Sequence, residues 1–348
     1  MNPNRKLGLR VSMSLAAAGL VGACWIQPAL SGEAKEGPLD PEAMARDNWR
    51  AVMAHSPAAP EGCFHASYPS FVWEQVECKV GQPRVHPVRR QPAAGGEDVT
   101  GNGNDYVAEA AGLITETLGT FPKVTGVKTE KSVGVKAFGD GGILGPNEYT
   151  LQVNTNYTGT TSVCAGHSGC TVWQQFIYSP DYVTDGQAAV FMQYWLIGWG
   201  SSKCPRSFMS AGGGDCYANS AYVAAPDMPI TDLGELTLSG TAVAGGNDTV
   251  VFNNGTEAYS ITGKDSVLDI SAVWKESEFN VVGNAGGSRA DFNKGSSVTV
   301  KIALTDGSTS APTCVADAGS TGETNNLNLG SCSTAGGSIP SVQFTESN

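Results

Sequence analysis

The sequence predicts an all-β protein, built as a two-sheet antiparallel β-sandwich or jelly roll. Short apolar runs follow one another along residues 96–348, and Gly, Asn, Asp and Ser turns separate them. The chain has 44 glycines and only 16% charged residues, which is typical of a turn-rich β domain. The same part of the sequence has one helix candidate, residues 107–118, and that stretch also fits a pair of strands.

The first element is a secretory signal. Arg5, Lys6 and Arg10 precede an apolar run of small residues at 11–23, which is the basic-then-apolar order of a signal peptide. The run is too short and too rich in Ala and Gly to predict a membrane span. We therefore predict a signal peptide at residues 1–23 and an exported protein.

Cys24 follows this run and has no cysteine close to it in the sequence. The stretch Val21-Gly22-Ala23-Cys24 resembles a bacterial lipobox, in which the cysteine is lipidated and becomes the first mature residue. The alternative is cleavage between Ala29 and Ala34, which would discard Cys24 with the signal. We expect a protein that is extracellular, or held in the cell envelope by a lipid on Cys24 and touching the membrane only through it.

Residues 24–95 are interpreted as a leader or propeptide, a small disulfide-closed N-terminal segment. They predict one helix at 41–54, with Asp40 as its cap. A compact unit between Cys63 and Cys78 follows this helix. Residues 84–96 contain prolines and the pair Arg89-Arg90, which predicts a linker or a processing site instead of regular structure.

The cysteines predict a disulfide framework. Eight of the nine fall into close pairs, an arrangement typical of an exported protein. Other connectivities stay open, because spacing alone does not decide them. Nearest-neighbour pairing predicts the bonds Cys63–Cys78, Cys164–Cys170, Cys204–Cys216 and Cys314–Cys332.

The strands of the body are predicted from alternation and from aromatic and β-branched residues. They lie at residues 149–154, 172–178, 190–197, 236–244, 248–252, 266–274, 278–282, 297–304 and 341–344. We assign residues 96–348 to one β-sandwich domain, which is long enough to bury a sizeable core.

The charge balance limits the partners of this domain. Residues 1–95 carry 10 Lys and Arg against 8 Asp and Glu, whereas residues 96–348 carry 11 against 25. An acidic domain is unsuited to nucleic acid and to anionic membrane surfaces. We expect a monomer without a cofactor that binds a polypeptide or a surface glycan.

Several common catalytic motifs are missing from the sequence. It has no His-Glu-x-x-His zinc motif, no phosphate-binding loop and no Gly-x-Ser-x-Gly nucleophile turn. His167 is the single histidine after position 95, and it lies between Cys164 and Cys170, where a disulfide loop is a better interpretation than a metal site. Catalysis by this chain would therefore depend on carboxylates and amides, with no metal.

One predicted strand combines a carboxylate with an amide. Glu278 and Asn280 point to the same face of it, because side chains alternate along a strand. A partly buried carboxylate can activate a water, and a neighbouring amide can stabilise an oxyanion.

Two other strands supply glutamines beside tryptophans. On the first, Gln175 shares a face with Trp173, and Gln174 points to the opposite face. On the second, Gln193 shares a face with Trp195. The amide that such a site needs is therefore available from either strand.

The strand around Glu278 resembles a known family. Residues 277–282, Ser-Glu-Phe-Asn-Val-Val, are similar to the strand that carries the catalytic glutamate of the secreted glutamic peptidases, or eqolisins, whose pattern is Ala-Glu-Trp-Ile-Val-Glu. Residues 119–124, Gly-Thr-Phe-Pro-Lys-Val, resemble their early Gly-x-Phe-x-Val-Pro strand. The resemblance implies a concanavalin-like sandwich, made as a precursor with a basic propeptide.

The body also resembles a family of exported bacterial and fungal proteins of unassigned function. The shared elements are Trp-Gln-Gln-Phe at 173–176, Phe-Met-Gln-Tyr-Trp-Leu-Ile at 191–197, Thr-Gly-Glu-Thr-Asn-Asn-Leu at 321–327 and the segment 340–348.

The eqolisin resemblance implies an endopeptidase that acts on proteins at acid pH. Glu278 would be the general base for a water, and Gln175 or Gln174 would polarise the scissile carbonyl and stabilise the oxyanion. The residues expected to contact substrate are Trp173, Gln193, Trp195 and Asn280.

The alternative hypothesis is a non-catalytic binding module. Sandwiches with aromatic stripes bind glycans by stacking rings on sugar faces, and Trp173, Trp195, Trp199, Tyr194 and Tyr178 are candidates for such stacking. The polar turn at 321–326 would ligate an ion, cap a site or form a hydrogen-bonded loop.

Overall fold

The computed structural model describes residues 40–55, 60–81, 84–87, 105–135, 141–200 and 203–348. Within these residues the chain forms two large sheets, a small third sheet, one α-helix and short 3₁₀ helices. The predicted signal peptide, Cys24 and the Arg89-Arg90 pair lie outside the described residues. No helix of the described part is both long and apolar enough to cross a membrane.

The described helices and strands follow in chain order. They are α1 (Pro41–Ala54), β1 (Gly62–Ser67), β2 (Glu74–Val76), β3 (Val107–Glu109), β4 (Glu116–Thr125), β5 (Glu130–Val133), β6 (Gly145–Pro146), β7 (Tyr149–Thr155), β8 (Thr171–Thr184), β9 (Gln187–Ile197), β10 (Met209–Gly212), β11 (Asp215–Pro226), β12 (Thr237–Ala242), β13 (Asn247–Asn253), β14 (Glu257–Lys264), β15 (Glu276–Gly283), β16 (Arg289–Phe292), β17 (Ser297–Thr305), β18 (Thr313–Val315), β19 (Thr324–Asn325), β20 (Asn328–Ala335) and β21 (Ser341–Ser347).

Two large antiparallel sheets make up the sandwich. The first has nine strands in the order β2-β1-β14-β13-β12-β4-β17-β21-β20, and the second has eight in the order β10-β11-β9-β8-β7-β15-β3-β18. A small sheet, β19-β16-β5-β6, contains the parallel pair β16–β19. The predicted all-β sandwich is confirmed.

The two large sheets pack closely through aromatic rings. Phe279 of β15 and Phe176 of β8 lie against glycines of the facing sheet. A Cβ at Gly119 would come within 2.2 Å of the Phe279 ring, and one at Gly240 within 2.4 Å of the Phe176 ring. Glycine at these two positions therefore allows both rings to be buried in the core.

The helix predicted at 41–54 is confirmed and packs on the nine-stranded sheet. Its cap, Asp40, accepts a hydrogen bond from the backbone N–H of Glu42 at 3.0 Å. Trp49 and Met53 are fully buried against this sheet. The segment after the helix also joins the sheet, because β1 pairs with β14 along its whole length.

The prediction of a strand at 266–274 is wrong. The chain there forms two 3₁₀ helices, Asp265–Val267 and Ile270–Ala272. The Asp265 carboxylate accepts hydrogen bonds from the N–H and the hydroxyl of Ser271 at 3.1 and 2.8 Å, which closes a compact loop. The apolar residues of this stretch are buried, as in a core strand, but they belong to a loop.

The four disulfides in the structure are the predicted ones. They join Cys63 to Cys78, Cys164 to Cys170, Cys204 to Cys216 and Cys314 to Cys332. The last of these links β18 of the eight-stranded sheet to β20 of the nine-stranded sheet. Four disulfides indicate an oxidising compartment.

Candidate active site

A row of polar side chains crosses the eight-stranded sheet on the face that points away from the core. Its members are direct cross-strand partners: Glu278 lies opposite Asn154, Asn154 opposite Gln175, Gln175 opposite Gln193, and Gln193 opposite Asn219. We call this face, with the Gln152 side chain beside Asn154, the polar face. The register therefore aligns the carboxylate and the amides of five neighbouring strands.

Glu278 is buried and has an uneven set of hydrogen-bond donors. Its Oε2 accepts from the N–H and hydroxyl of Ser320 at 2.6 and 2.7 Å, from the Thr321 N–H at 3.3 Å and from the Asn154 amide at 3.3 Å. No N–H or hydroxyl of the described residues donates to its Oε1. One oxygen is thus held tightly, while the other keeps its acceptor capacity.

Asn154 and Gln152 connect Glu278 to Gln175. The Gln152 Oε1 accepts from Gln175 Nε2 at 3.1 Å and from Asn154 Nδ2 at 3.3 Å. The strands β15 and β8 are separated by β7, so their backbones lie about 10 Å apart. The structure places Glu278 and Gln175 on one face with one residue between them, and not in direct contact.

Gln174, the alternative catalytic amide, is on the other face of the sheet. Its Nε2 donates to the Asp248 carboxylate at 2.9 Å in the space between the two sheets. The structure therefore does not bring Gln174 together with Glu278, because alternation along β8 points it into the core.

The two tryptophans expected to contact substrate hold polar groups in place. Trp173 Nε1 donates to the Ser320 hydroxyl at 3.1 Å, and Trp195 Nε1 donates to Gln193 at 2.9 Å and to Gln175 at 3.2 Å. Both rings are buried and pack with Tyr217. Their indole N–H groups fix the orientation of the serine and the glutamines.

Residues 84–87, which we call the covering segment, lie over the polar face and belong to no helix or strand. Gln193 accepts from the His86 N–H at 2.9 Å and donates to the Arg84 carbonyl at 2.9 Å. The Val85 carbonyl accepts from the Gly286 N–H at 2.8 Å, and Val85 packs against the cluster of Trp173, Trp195 and Tyr217. The face thus holds a peptide through its backbone groups.

The His86 side chain is completely buried beside the same face. Its Nδ1 lies 3.3 Å from the Gln152 amide nitrogen and 3.4 Å from a Glu323 carboxylate oxygen. The ring lies 5.9 Å from that of Phe191. The covering segment is therefore held both through its backbone, by Gln193, and through the buried His86 side chain.

A loop after β18 closes the site from the other side. Residues 318–323, the covering loop, supply the Ser320 and Thr321 donors to Glu278, and the Thr321 hydroxyl donates to Glu323 at 2.6 Å. The polar turn noted in the sequence belongs partly to this loop. These contacts form a hydrogen-bonded loop that also closes the site over Glu278.

Sequence reasoning missed two buried carboxyls beside Asn280. The Asn280 amide donates to Asp105 and, at 3.4 Å, to Glu346. Burial, followed by the charges of Glu278 and Glu346, raises the pKa of Asp105 well above its usual range. Burial also raises the pKa of Glu346 to about 7. No sequence signal marked either residue, because both reach the site from distant segments.

The other candidate contacts lie apart from this face. Tyr178 and Tyr194 point into the core, and Trp199 stacks on His167 with ring centres 3.3 Å apart. Among the described residues, no three His, Cys, Asp or Glu side chains are grouped so as to hold a metal ion.

Comparisons with known proteins show only distant similarity. No family model matches the sequence, and no curated protein matches it. Two solved structures are similar to this chain. One is SCP-B, a member of the eqolisin family of peptidases, in a complex with the tripeptide Ala-Ile-His, and the other is scytalido-glutamic peptidase with a transition state analog inhibitor. Each shows 12% identity and a TM-score of 0.28 over 69% of this chain, and over 96% and 97% of the other chain.

A further complex of scytalido-glutamic peptidase, with a peptide-based transition state analog, shows 14% identity and a TM-score of 0.26. The resemblance to eqolisins is thereby confirmed as a distant similarity. Similarity this distant says nothing about the chemistry of the site, which follows from the geometry above.

Proposed function

We propose that this protein is a glutamic-peptidase-like hydrolase whose polar face binds an extended polypeptide and whose general base is Glu278. The observation that carries the proposal is the covering segment, which lies on the polar face and is held there through backbone N–H and carbonyl groups. Backbone recognition of an extended chain does not depend on its side chains, and is what a protein substrate requires.

The chemistry would begin with a water hydrogen-bonded to Glu278. Glu278 takes a proton from this water as the water oxygen attacks the scissile carbonyl carbon. Gln175 Nε2 donates to the carbonyl oxygen as that oxygen becomes negative. Glu278 then gives its proton to the leaving nitrogen as the C–N bond breaks, which restores the carboxylate.

The covering segment occupies the face that a substrate would need. We therefore propose that residues 24–95 act as a propeptide and that residues 84–87 must leave before a substrate can bind. Arg84 is held by the Tyr182 carbonyl at 2.9 Å, and Gly322 donates to the Pro87 carbonyl. The mature enzyme would be an exported monomer that works at acid pH, where a carboxyl is readily reprotonated.

Glycan binding has less support from the geometry. With the covering segment in place, Trp173 and Trp195 are 0% and 2% exposed, so they present no ring face to a sugar. Their indole N–H groups are already used within the site.

The test is hydrolysis of a denatured protein at acid pH by the full chain, with its N-terminus followed by mass spectrometry. Wild type should lose the covering segment and then produce fragments, and Glu278→Gln should produce none. Glu257→Gln, a change at a partly exposed position of β14 in the other large sheet, should match the wild type. Equal cleavage by Glu278→Gln, or no cleavage by wild type after the segment is lost, would exclude the proposal.

A further inference from the structure

We propose that Asp105 is a positioning residue for Glu278 and that the two carboxyl groups share one proton in the working site. The inference rests on the proposed function for its kinetic consequences, but the shared proton itself is a property of the folded protein.

The fold brings the two carboxyl groups together through β3. Asp105 lies just before this strand, which pairs with β15 so that Val107 is opposite Glu278. Gly319 of the covering loop lies next to both carboxyl groups. A Cβ on Gly319 would lie 2.8 Å from Glu278 Oε1 and 3.4 Å from Asp105 Oδ2, so both oxygens face the same small space.

The hydrogen bonds decide which of the two groups is ionised. Glu278 Oε2 accepts four hydrogen bonds, and each one stabilises a negative charge on that carboxylate. Among the described residues, the one hydrogen bond donated to the Asp105 side chain comes from Asn280, to Oδ1. The proton therefore belongs on Asp105 Oδ2, where it is directed at Glu278 Oε1, the oxygen without another donor.

The charges around Asp105 also favour its protonated form. In the part of the chain that the structure describes, the titratable groups that face Asp105 are Glu278 from β15 and Glu346 from β21, and both are acidic. The covering loop contributes Ala318, whose N–H donates to the Asp105 carbonyl, and Gly319, neither of which is charged. Like charges in a buried site disfavour a second ionisation, so burial and Glu278 together raise the pKa of Asp105.

This arrangement assigns different roles to the two carboxyls. Glu278 exchanges a proton with water and with the leaving nitrogen. Asp105 keeps its proton throughout, and its hydrogen bond fixes the orientation of the Glu278 carboxylate. When the pair loses the shared proton at higher pH, the two charges repel and the carboxylate is no longer held in place.

The first test is the free energy of unfolding as a function of pH, compared between wild type and Asp105→Asn. The unfolded chain ionises Asp105 above about pH 4, whereas the folded protein keeps the proton, so wild-type stability falls as pH rises above that value. Asparagine donates the same hydrogen bond and does not titrate. The variant should therefore match the wild type below about pH 4 and gain stability relative to it as pH increases.

Glu109→Gln, an exposed carboxyl at the end of the same strand, is the matched control and should follow the wild type at every pH. A constant difference between Asp105→Asn and wild type across the pH range would overturn the shared proton. This outcome does not depend on hydrolysis, so it is distinguishable from failure of the proposed function.

The second test is the pH profile of kcat. Asp105→Asn should keep activity at acid pH and move the alkaline limb upward by about one pH unit or more. Asp105→Ala should lose activity at all pH values, since it removes the donor. An unshifted alkaline limb in Asp105→Asn would overturn the positioning role. A variant that only lost stability would have a kcat profile of the same shape as the wild type, so the profile separates positioning from a purely structural role.

Discussion

The side-chain oxygen of Gln193 accepts a hydrogen bond from the backbone N–H of His86 at 2.9 Å, and its side-chain nitrogen donates to the backbone carbonyl of Arg84, also at 2.9 Å. Gln193 thus pairs with the covering segment as a neighbouring strand would. This relationship shows how the polar face holds an extended chain without reference to its side chains, and it connects the N-terminal segment to the candidate active site.

The covering segment should loosen when Gln193 is truncated. Gln193→Ala leaves the buried His86 N–H without its acceptor, which costs about 1–3 kcal/mol. We expect the His86 amide hydrogen to exchange about 10- to 100-fold faster than in wild type. Gln343→Ala, at an exposed position of β21, is the control. Unchanged exchange in Gln193→Ala would show that other contacts hold the segment.

Ser320 should stabilise the fold through Glu278. Ser320→Ala removes a hydroxyl that donates to Glu278 at 2.7 Å and accepts from the Trp173 indole at 3.1 Å. We expect a loss of about 1–3 kcal/mol in the free energy of unfolding, because Glu278 loses a donor and the buried indole N–H of Trp173 loses its acceptor. Chemical denaturation measures this loss, and Ser310→Ala on the exposed surface should cost almost nothing. Equal midpoints for the two variants would contradict the role of Ser320.

The Cys314–Cys332 disulfide should hold the covering loop as well as the two sheets. It closes a separation of 18 residues that includes this loop, whereas Cys164–Cys170 closes only 6. Replacing Cys314 and Cys332 with alanine should cost about 3 kcal/mol in the chain-entropy account, and the shorter bond should cost less.

Hydrogen exchange gives the local readout for the same variants. The Ser320 and Thr321 amides, which donate to Glu278, should exchange faster without Cys314–Cys332 and at the wild-type rate without Cys164–Cys170. Protection that is equal in the two double variants would exclude a role of the disulfide in holding the loop.

His55 should anchor the end of α1 in a pH-dependent way. Its ring nitrogen lies 2.8 Å from the Glu116 carboxylate, and this hydrogen bond raises the pKa of His55. The contribution is therefore complete below about pH 6.5, the unfolded value, and is lost as pH rises through the folded value. It should stay below about 1 kcal/mol, because the His55 side chain is 35% exposed.

The measurement is the free energy of unfolding of wild type and His55→Gln across this pH range. The difference between them should be present in acid and disappear in base. A difference that grows with pH would contradict the assigned sign.

Local sequence determined which side chains share a face. Glu278 with Asn280, Gln175 with Trp173 and Gln193 with Trp195 are arranged as alternation predicts, because the direction of successive side chains is set by the covalent geometry of a strand. The four disulfides are those that nearest-neighbour pairing predicted. The failed strand at 266–274 shows the limit of this reasoning, since the Asp265–Ser271 hydrogen bonds favour a loop that has the same apolar residues.

Tertiary structure decided which faces meet and what covers them. Strand order places Asn154 between Glu278 and Gln175, and it brings Asp105, Ser320 and the covering segment to one carboxylate from separate parts of the chain. These contacts depend on the packing of two sheets and on backbone pairing between distant segments. Neither leaves a local pattern in the sequence, because the energy of such contacts comes from residues far apart along the chain.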